Sequence, residues 1–359
     1  MHKQYMNLAI EEAKKGIGNT YTNPLVGAVI VKDNRVIAKG AHLKYGCEHA
    51  ERNAINHCQS PEELFDSTLY VTLEPCNHFG KQPPCSHLIV EKGIKRVIIG
   101  QLDPNPLVKG QGKAFLEDHG IQVIVGVNEE EVYHLNEYYN FLHRNKRPYI
   151  VLKQALTLDG RIAMNRNSPA SITGQAVWDR VHKERGKYQG ILVGSQTILS
   201  DNPTLLSLGS SLYPPVRIVL DRQGRILKAR ELNLFKNKLA PLWIFTESEE
   251  VIPDLPHVTV IRKETLTLNG VLTELAERSI HSLYVEGGGR IHDAFFAENL
   301  WDEIVTYISP KIIGGNSLPG FSSHREATGI TPLHSVAFEQ LGTDFRISGR
   351  RTDTLCLQD

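Results

Sequence analysis

Two spacings of apolar residues alternate along this chain, one of about 3.6 positions and one of two, and their order predicts its architecture. Met1 to Lys15, "MHKQYMNLAIEEAKK", places its apolar residues on one helical face. "VGAVIVKDNRVIAKGAH" follows as two Val/Ile-rich runs around "KDN", the pattern of a hairpin. Glu48 to Gln59 returns to helical spacing, and "STLYVTLEP" is a buried strand stopped by Pro75. A helix from about Ser86, the strand "RVIIG", a helix near Ala114, the strand "IQVIVGV" and a helix from Glu129 to His143 complete the series. This order predicts a three-layer α/β module over residues 1–144.

"HRNKRP", from His143 to Pro148, is charged and turn-forming, and it marks a boundary. The pattern then restarts over residues 149–359. Strand "YIVLKQAL" leads through a loop to a helix from Gln175 to Tyr188 and strand "GILVG". "VRIVLD", "LWIFT" and "HVTVI" are further strands, followed by a helix near Gly270 to Arg278. "SLYVEGGG", another helix and "EIVTYISPKIIGG" close the reading, which predicts a second α/β domain with a mostly parallel sheet.

Composition narrows the function without naming it. Lys plus Arg balances Asp plus Glu at 40 each, so no bulk positive field draws the protein to nucleic acid. No apolar run approaches membrane-spanning length, and the N-terminus lacks the apolar core of a signal peptide. The five cysteines are an odd number in a chain too long to need staples. Reduced thiols and a cytoplasmic location are the expectation, and clustered Cys residues are metal candidates.

One cluster stands out. "GCEHAERNAINHC", Gly46 to Cys58, holds two Cys, two His and two Glu, more than a short helix can aim at one ion. His49 and Glu51 lie in its first turn, Cys76 ends a buried strand, and Cys85 precedes the next helix. Two thiolates and an imidazole suit a catalytic zinc site, whose fourth position belongs to water. Glu51 then serves as the acid/base group of a zinc deaminase and not as a ligand. Cys47, His57 and Cys58 are read as bystanders. The usual deaminase pattern has two residues between its cysteines, whereas eight stand here, "NHFGKQPP".

"LEPCNHFGKQPPC", with "TNPLVG" and "GAHLKYGCEHAE" upstream, closely resembles the deaminase domain of the bifunctional riboflavin-biosynthesis enzymes of the RibD (RibG) family. The resemblance implies a cytidine-deaminase-like α/β/α fold and hydrolytic deamination of 2,5-diamino-6-ribosylamino-4(3H)-pyrimidinone 5′-phosphate. It assigns zinc to His49, Cys76 and Cys85, proton transfer to Glu51, and substrate contacts to Asn23, His42 and Lys81. Two departures concern exact substrate identity. Arg52 and Asn53 stand where the family commonly reads Val-His, and Thr22 replaces a common Pro.

In the second half "YVEGGGRIHDAFF" puts three glycines between strand and helix, where backbone can approach a phosphate. His292 occupies the place of the last glycine of a dinucleotide fingerprint, so that motif is incomplete. "KQALTLDGRIA", "GILVGSQTILSDNPTLL", "VRIVLD", "YVEGGGRIHDAF" and "PKIIGG" follow, in order, the family's reductase domain. This implies a dihydrofolate-reductase-like α/β fold that uses NADPH to reduce the ribosyl group to ribityl. Implied cofactor contacts are Ala155, Thr197, Asp201, Gly288, Gly289, Arg290, Ile291, His292, Asp293 and Ala294. Substrate positions are Ser168, Arg185, Leu205 and Glu286, with Lys153 and Asp201 as polar groups for proton transfer or ring opening.

Here too there are departures. Ser171 replaces a cofactor-contacting Trp, and Pro169 falls at the matching Ser unless the loop slips to Ser168. Leu208 stands where relatives carry an Arg for the substrate phosphate, and Arg217 is a candidate to compensate. Two other functions remain in view: a deaminase of another nucleotide, and a second domain that only scaffolds or binds nucleotide. The eight-residue Cys spacing and the neutral charge speak against a tRNA substrate. A small phosphorylated pyrimidine, no nucleic acid, no membrane, and a homo-oligomer (dimer or tetramer) are the partners expected.

Overall fold

The computed structural model describes residues 1–79, 83–106, 108–165, 171–209, 212–326 and 329–352. The chain forms two compact units, Met1–Lys146 and Arg147–Asp359. Lys81, Ser168 and Pro169 lie outside the described residues. No helix among the described residues is long and apolar enough to cross a membrane.

The first unit runs α1 (His2–Ala13), β1 (Gly27–Lys32), β2 (Arg35–Ala41), α2 (Ala50–Asn56), β3 (Thr68–Leu73), α3 (Cys85–Glu91), β4 (Arg96–Gln101), α4 (Gln111–Asp118), β5 (Gln122–Val125), α5 (Glu129–Leu135) and α6 (Glu137–Asn145). Its sheet has the order β2-β1-β3-β4-β5, with β1 antiparallel to both neighbours and the rest parallel. The hairpin turns on Asp33 and Asn34, both left-handed at φ 49° and 61°, as a two-residue turn between twisted strands requires. Alternation along β1 splits the core: Ala28 and Ile30 pack with α2, α3 and α4, while Val29 and Val31 pack with α1 and α5. Gly40 lets α2 press onto β2, since a Cβ there would lie 2.2 Å from the Ala54 nitrogen. That close approach seats the helix whose first turn carries Glu51.

The expected single helix from Glu129 to His143 is two helices. Asn136 breaks it, because its side chain pairs with the backbone of Leu25, accepting its N–H at 2.7 Å and donating to its carbonyl at 2.8 Å. A side chain spent on a distant backbone turns its own residue out of helical geometry, at φ −125°.

The second unit runs β6 (Tyr149–Thr157), β7 (Arg161–Ala163), α7 (Gln175–Arg185), β8 (Gly190–Gly194), α8 (Ser195–Asp201), β9 (Val216–Leu220), α9 (Asn233–Lys236), β10 (Leu242–Thr246), β11 (Val258–Arg262) and α10 (Leu268–Glu277). It continues with β12 (Ser282–Gly287), α11 (Gly289–Ala297), β13 (Glu303–Ser309), β14 (Leu318–Pro319), β15 (His334–Leu341) and β16 (Asp344–Arg350). Nine strands form a sheet of order β11-β10-β9-β8-β12-β6-β13-β16-β15, parallel except where β16 pairs with β13 and β15. Both faces are covered. Ile150, Leu152 and Val285 face the cluster built on α10 and α11, while Ile191, Val193 and Ile244 face the other. The helix α8 and the antiparallel edge β15–β16 were not anticipated from the sequence.

Candidate active sites

In the first unit the chemistry collects at the ends of three elements. His49 is the extended residue that starts α2, Cys85 opens α3, and Cys76 lies just past the end of β3. His49 Nδ1 is 3.4 Å from Cys76 Sγ and 3.6 Å from Cys85 Sγ. A tetrahedral ion with the usual Zn–N and Zn–S bonds needs its donors about 3.6 Å apart, so the triad fits zinc. Among the described residues this is the group able to hold a metal. Cys47, His57 and Cys58 stand outside it, as expected; Cys58 instead directs its thiol to the Ser60 carbonyl.

The long spacing between the two cysteines is bridged by pinning the loop's ends together. Cys85 N–H donates to Cys76 Sγ at 3.4 Å, Ser86 N–H to the Cys76 carbonyl at 3.2 Å, and Ser86 Oγ to Asn77 Oδ1 at 2.6 Å. Despite the eight intervening residues, the two sulfurs and a His49 ring nitrogen lie within 4.8 Å of one another. Hydrogen bonding to Cys85, and then to His49, draws the Cys76 thiol down, while the hydrogen bond with Cys76 and burial push Cys85 up.

Glu51 is buried, and desolvation pushes its carboxyl up to about 7, with the charge of Cys76 adding to the shift. A carboxyl poised near neutrality is able to take and return a proton. His42 stands edge-on to His49, ring centroids 5.7 Å apart. Its Nδ1–H donates to the Glu48 carbonyl at 2.9 Å, so Nε2 accepts from Asn23 Nδ2 at 3.1 Å. Burial lowers its pKa, keeping the ring neutral in that tautomer. The structure therefore brings Asn23 and His42 to the triad.

Two departures from the family pattern are engaged with backbone, and the Arg52 charge acts on His49 and Cys85. Arg52 reaches the Pro83 carbonyl of the rim loop, and Asn53 Oδ1 accepts the Ala41 N–H. Glu74 was missed. It is buried and accepts three backbone N–H groups, from Asp103 at 3.1 Å, Gly110 at 2.9 Å and Lys113 at 3.0 Å. Those hydrogen bonds tie the segment between β4 and α4 to the strand end that carries Cys76. The "EP" before Cys76 was its only signal in the sequence.

The second unit's candidate site is built otherwise. Arg185, the last residue of α7, makes a two-pronged pair with Glu286 of β12 at 2.5 and 2.8 Å and donates to the Leu206 carbonyl at 2.9 Å. Lys153 Nζ lies 4.0 Å from the same carboxylate. Burial would push Glu286 up, but Arg185 and Lys153 outweigh it and hold its pKa down to about 2. Burial lowers Lys153, with Glu286 opposing. Ala155 lies on the same face of β6 as Lys153 and is half-buried.

The neighbouring Glu184 turns the other way. Its carboxylate accepts from Tyr284 at 3.1 Å, Tyr307 at 2.7 Å and Arg346 at 3.1 Å. These partners lie 100 to 162 positions distant, so no local pattern could reveal them.

The glycine turn has three distinct positions. Gly287 is left-handed, at φ 93°, and a Cβ there would meet the His292 ring at 2.3 Å. Gly289 lies under the Pro319 carbonyl, 2.6 Å from where its Cβ would be. Gly288 meets only Thr197 Oγ1, at 3.5 Å, so it is the open backbone position, as a cradle for a dinucleotide requires. His292, expected at the cofactor, turns its side chain inward instead. Its Nε2 donates to the Val285 carbonyl at 3.1 Å, Nδ1 faces Gln154 at 3.3 Å, and burial lowers it to about 4. Asp293 is likewise engaged, paired with Arg325 at 2.9 Å. Ile291 packs against the core cluster, while Arg290 is exposed and Ala294 is half-buried on the helix.

Around this turn the remaining expectations divide. Thr197 is beside it, whereas Asp201 is exposed at the end of α8 with Ser200 Oγ on its carboxylate. Leu205 places its side chain in the core, and its backbone is left-handed at φ 54°. Leu208 is exposed, and its N–H donates to the His182 carbonyl at 2.9 Å. Arg217 does not compensate for it: the side chain is fully buried and donates to the carbonyls of Thr204, Asn237 and Ala240. Ser171 is exposed, its carbonyl 3.5 Å from Lys311 Nζ.

Comparison with known proteins follows the same division. Residues 1–101 match the cytidine and deoxycytidylate deaminase zinc-binding region, and residues 148–346 match the RibD C-terminal domain. The riboflavin biosynthesis protein RibD of Bacillus amyloliquefaciens is 39% identical, covering 97% of this chain and 96% of its own. That of Aquifex aeolicus is 40% identical, covering 97% and 98%. Among solved structures, a diaminohydroxyphosphoribosylaminopyrimidine deaminase/5-amino-6-(5-phosphoribosylamino)uracil reductase from Thermotoga maritima is 42% identical with a TM-score of 0.85, covering 97% of this chain and 98% of that one. Acinetobacter baumannii RibD superposes with a TM-score of 0.87 at 31% identity, over 97% and 98%.

Proposed function

We propose how particular residues carry out two reactions, from the premise that this chain belongs to the RibD family of bifunctional riboflavin-biosynthesis enzymes. It pairs a deaminase of the zinc-binding type with a reductase of the RibD type, which uses NADPH. The substrates proposed are those of the Thermotoga maritima relative's name: a diaminopyrimidine ribosyl phosphate, then its deaminated product.

In the deaminase His49, Cys76 and Cys85 would hold the metal. Zinc, when bound, acts there as a Lewis acid that makes water a stronger nucleophile at neutral pH. Glu51 accepts a proton from the attacking water and returns it to the departing amine, which leaves as ammonia. Asn23 and His42 contact the substrate; the fixed tautomer of His42 leaves the Asn23 carboxamide oxygen to face the ring. Lys81 of the rim loop is assigned to the same substrate.

In the reductase Gly288, Gly289 and the backbone to Ala294, with Ala155, Thr197 and Asp201, hold the dinucleotide, which supplies hydride. Arg185, Glu286, Lys153, Ser168 and the Leu205 backbone position the sugar. Lys153 is favoured over Asp201 for proton transfer, since it is buried beside Glu286 while Asp201 is exposed. A homo-oligomer in the cytoplasm completes the reading; the edge strand β15, exposed at most of its positions and with Phe338 75% exposed, supports self-association.

The observation that carries the reading is the triad with the buried Glu51 beside it. Glu51→Gln should keep zinc and lose ammonia release by ~10²–10⁴-fold. Full activity in that variant would remove Glu51 from the mechanism, and loss of zinc would make it a ligand.

A further inference from the structure

A carboxylate buried beside an active site is costly unless it is fully paired, and Glu184, next to Arg185 at the end of α7, is only 3% exposed. Its partners come from three strands. Oε2 accepts the Tyr284 hydroxyl at 3.1 Å and the Tyr307 hydroxyl at 2.7 Å, and Oε1 accepts Arg346 Nε–H at 3.1 Å. Arg346 also donates to Ser348 Oγ at 2.9 Å, and the Tyr284 ring stacks on Tyr188 with centroids 4.7 Å apart. Burial first, and then the Glu184 charge, pushes both tyrosine hydroxyls up, so each stays protonated and donates. One side chain thus joins the last turn of α7 to β12, β13 and β16.

This network lies against Lys153. Tyr284 pairs with Val151 of β6 and Tyr307 with Ala155, so both tyrosines share the face of the sheet that carries Lys153. Lys153 Nζ, 4.0 Å from Glu286, is outside hydrogen-bond distance of a carboxylate that Arg185 already grips with two nitrogens. It stands over the Tyr307 ring, 6.0 Å from the centroid, at the reach of a cation–π contact. The hydroxyl that Glu184 accepts decides where that ring lies. The groups facing the ammonium are Glu286 from β12, His182, Glu184 and Arg185 from α7, Tyr307 from β13 and His292 from α11. Burial lowers both imidazoles, which leaves them neutral. Burial also lowers Lys153; Glu286 opposes this, Arg185 adds to it, and Glu184 opposes it again. With Arg185 offsetting Glu286, Glu184 is the second carboxylate acting on the buried ammonium.

We propose that Glu184 is a positioning residue of the reductase, holding the Lys153 ammonium ready for proton transfer with its charge and with the Tyr307 ring that it fixes. The role rests on the reading of Lys153 as the group that transfers the proton. The pH dependence of NADPH oxidation by the zinc-loaded full chain, with the deaminated intermediate as substrate, tests it. A donating ammonium is lost as pH rises, so removing a carboxylate beside it should move the alkaline limb of the profile to lower pH. Glu184→Gln should move that limb by ~1 unit, a ~10-fold loss of kcat on the limb, with a loss below ~3-fold on its acid side. Glu184→Gln/Arg346→Met leaves no buried cation unpaired, serves if the single variant does not fold, and should move the limb likewise. A limb that stays in place in the folded variant, or a loss equal at every pH, overturns the role and leaves Glu184 a structural residue. A Lys153→Met protein that keeps both turnover and the limb overturns the reading of Lys153, and the role of Glu184 falls with it. A wild-type protein that oxidises no NADPH overturns the reductase reading itself.

Discussion

The two candidate sites differ in what they are made of. The first gathers side chains that each have distinctive chemistry, His49, Glu51, Cys76 and Cys85, at the ends of adjoining elements. The second depends on a turn whose central glycine leaves backbone open and on an ion pair whose members are 101 positions apart. A site of the first kind is specified residue by residue. One of the second kind is specified by the whole sheet, and its residues gain their meaning only once strands β6, β8 and β12 are neighbours. The contrast makes the deaminase sensitive to single donors and the reductase sensitive to its buried charges.

Breaking the Arg185–Glu286 pair should give the largest stability effect. Both side chains are over nine-tenths buried, so Glu286→Gln leaves Arg185 and Lys153 uncompensated and should cost about 3–5 kcal/mol. In a unit of this size that is a fall of roughly 10 °C in its Tm, with ammonia release unaffected below that transition. Arg185→Met/Glu286→Leu combined with Lys153→Met should recover most of the stability but not hydride transfer. A single variant that melts with wild type would show the pair to be solvated.

A smaller effect, of opposite sign, belongs to the first site. Glu51 has a folded-state pKa of about 7 against an ordinary 4.5, so ionising it costs stability as pH rises through that interval. In metal-free protein Glu51→Gln should therefore be more stable than wild type above pH 7, by roughly 1–3 kcal/mol, and equal to it below pH 4.5. Denaturant titrations at pH 4 and pH 8 measure the difference. No gain at pH 8 would mean the carboxyl is better hydrated than its burial indicates.

The sequence revealed the two sites unequally for the same reason. His49, Glu51, Cys76 and Cys85 could be named because few functions need those residue types in that order. The hairpin at Asp33–Asn34 and most strands followed from apolar spacing. Residues whose role depends on distant partners were harder to see. Asn136 looked like part of one long helix until Leu25 claimed its side chain. Nothing in the glycine motif showed that the His292 ring packs beneath Gly287. Arg217 looked available for a phosphate, but burial and three carbonyls occupy it. Glu184 gave no sign at all, because its partners come from β12, β13 and β16.

The smallest expected change would sharpen the second site. Leu208 is exposed next to His182, where an arginine could meet the substrate phosphate. Leu208→Arg should lower the reductase KM by up to ~10-fold with little change in kcat, the mark of added uniform binding. An unchanged KM would mean that another group already holds the phosphate.

The central claim is that one chain carries two chemically independent sites. Chelation of zinc from the intact protein tests it most directly, with ammonia release and NADPH oxidation followed separately. The account predicts that ammonia release from the diaminopyrimidine phosphate disappears and returns with added zinc. Oxidation of NADPH by the deaminated intermediate should continue at its original rate throughout. Ammonia release that survives complete removal of the metal would contradict the account.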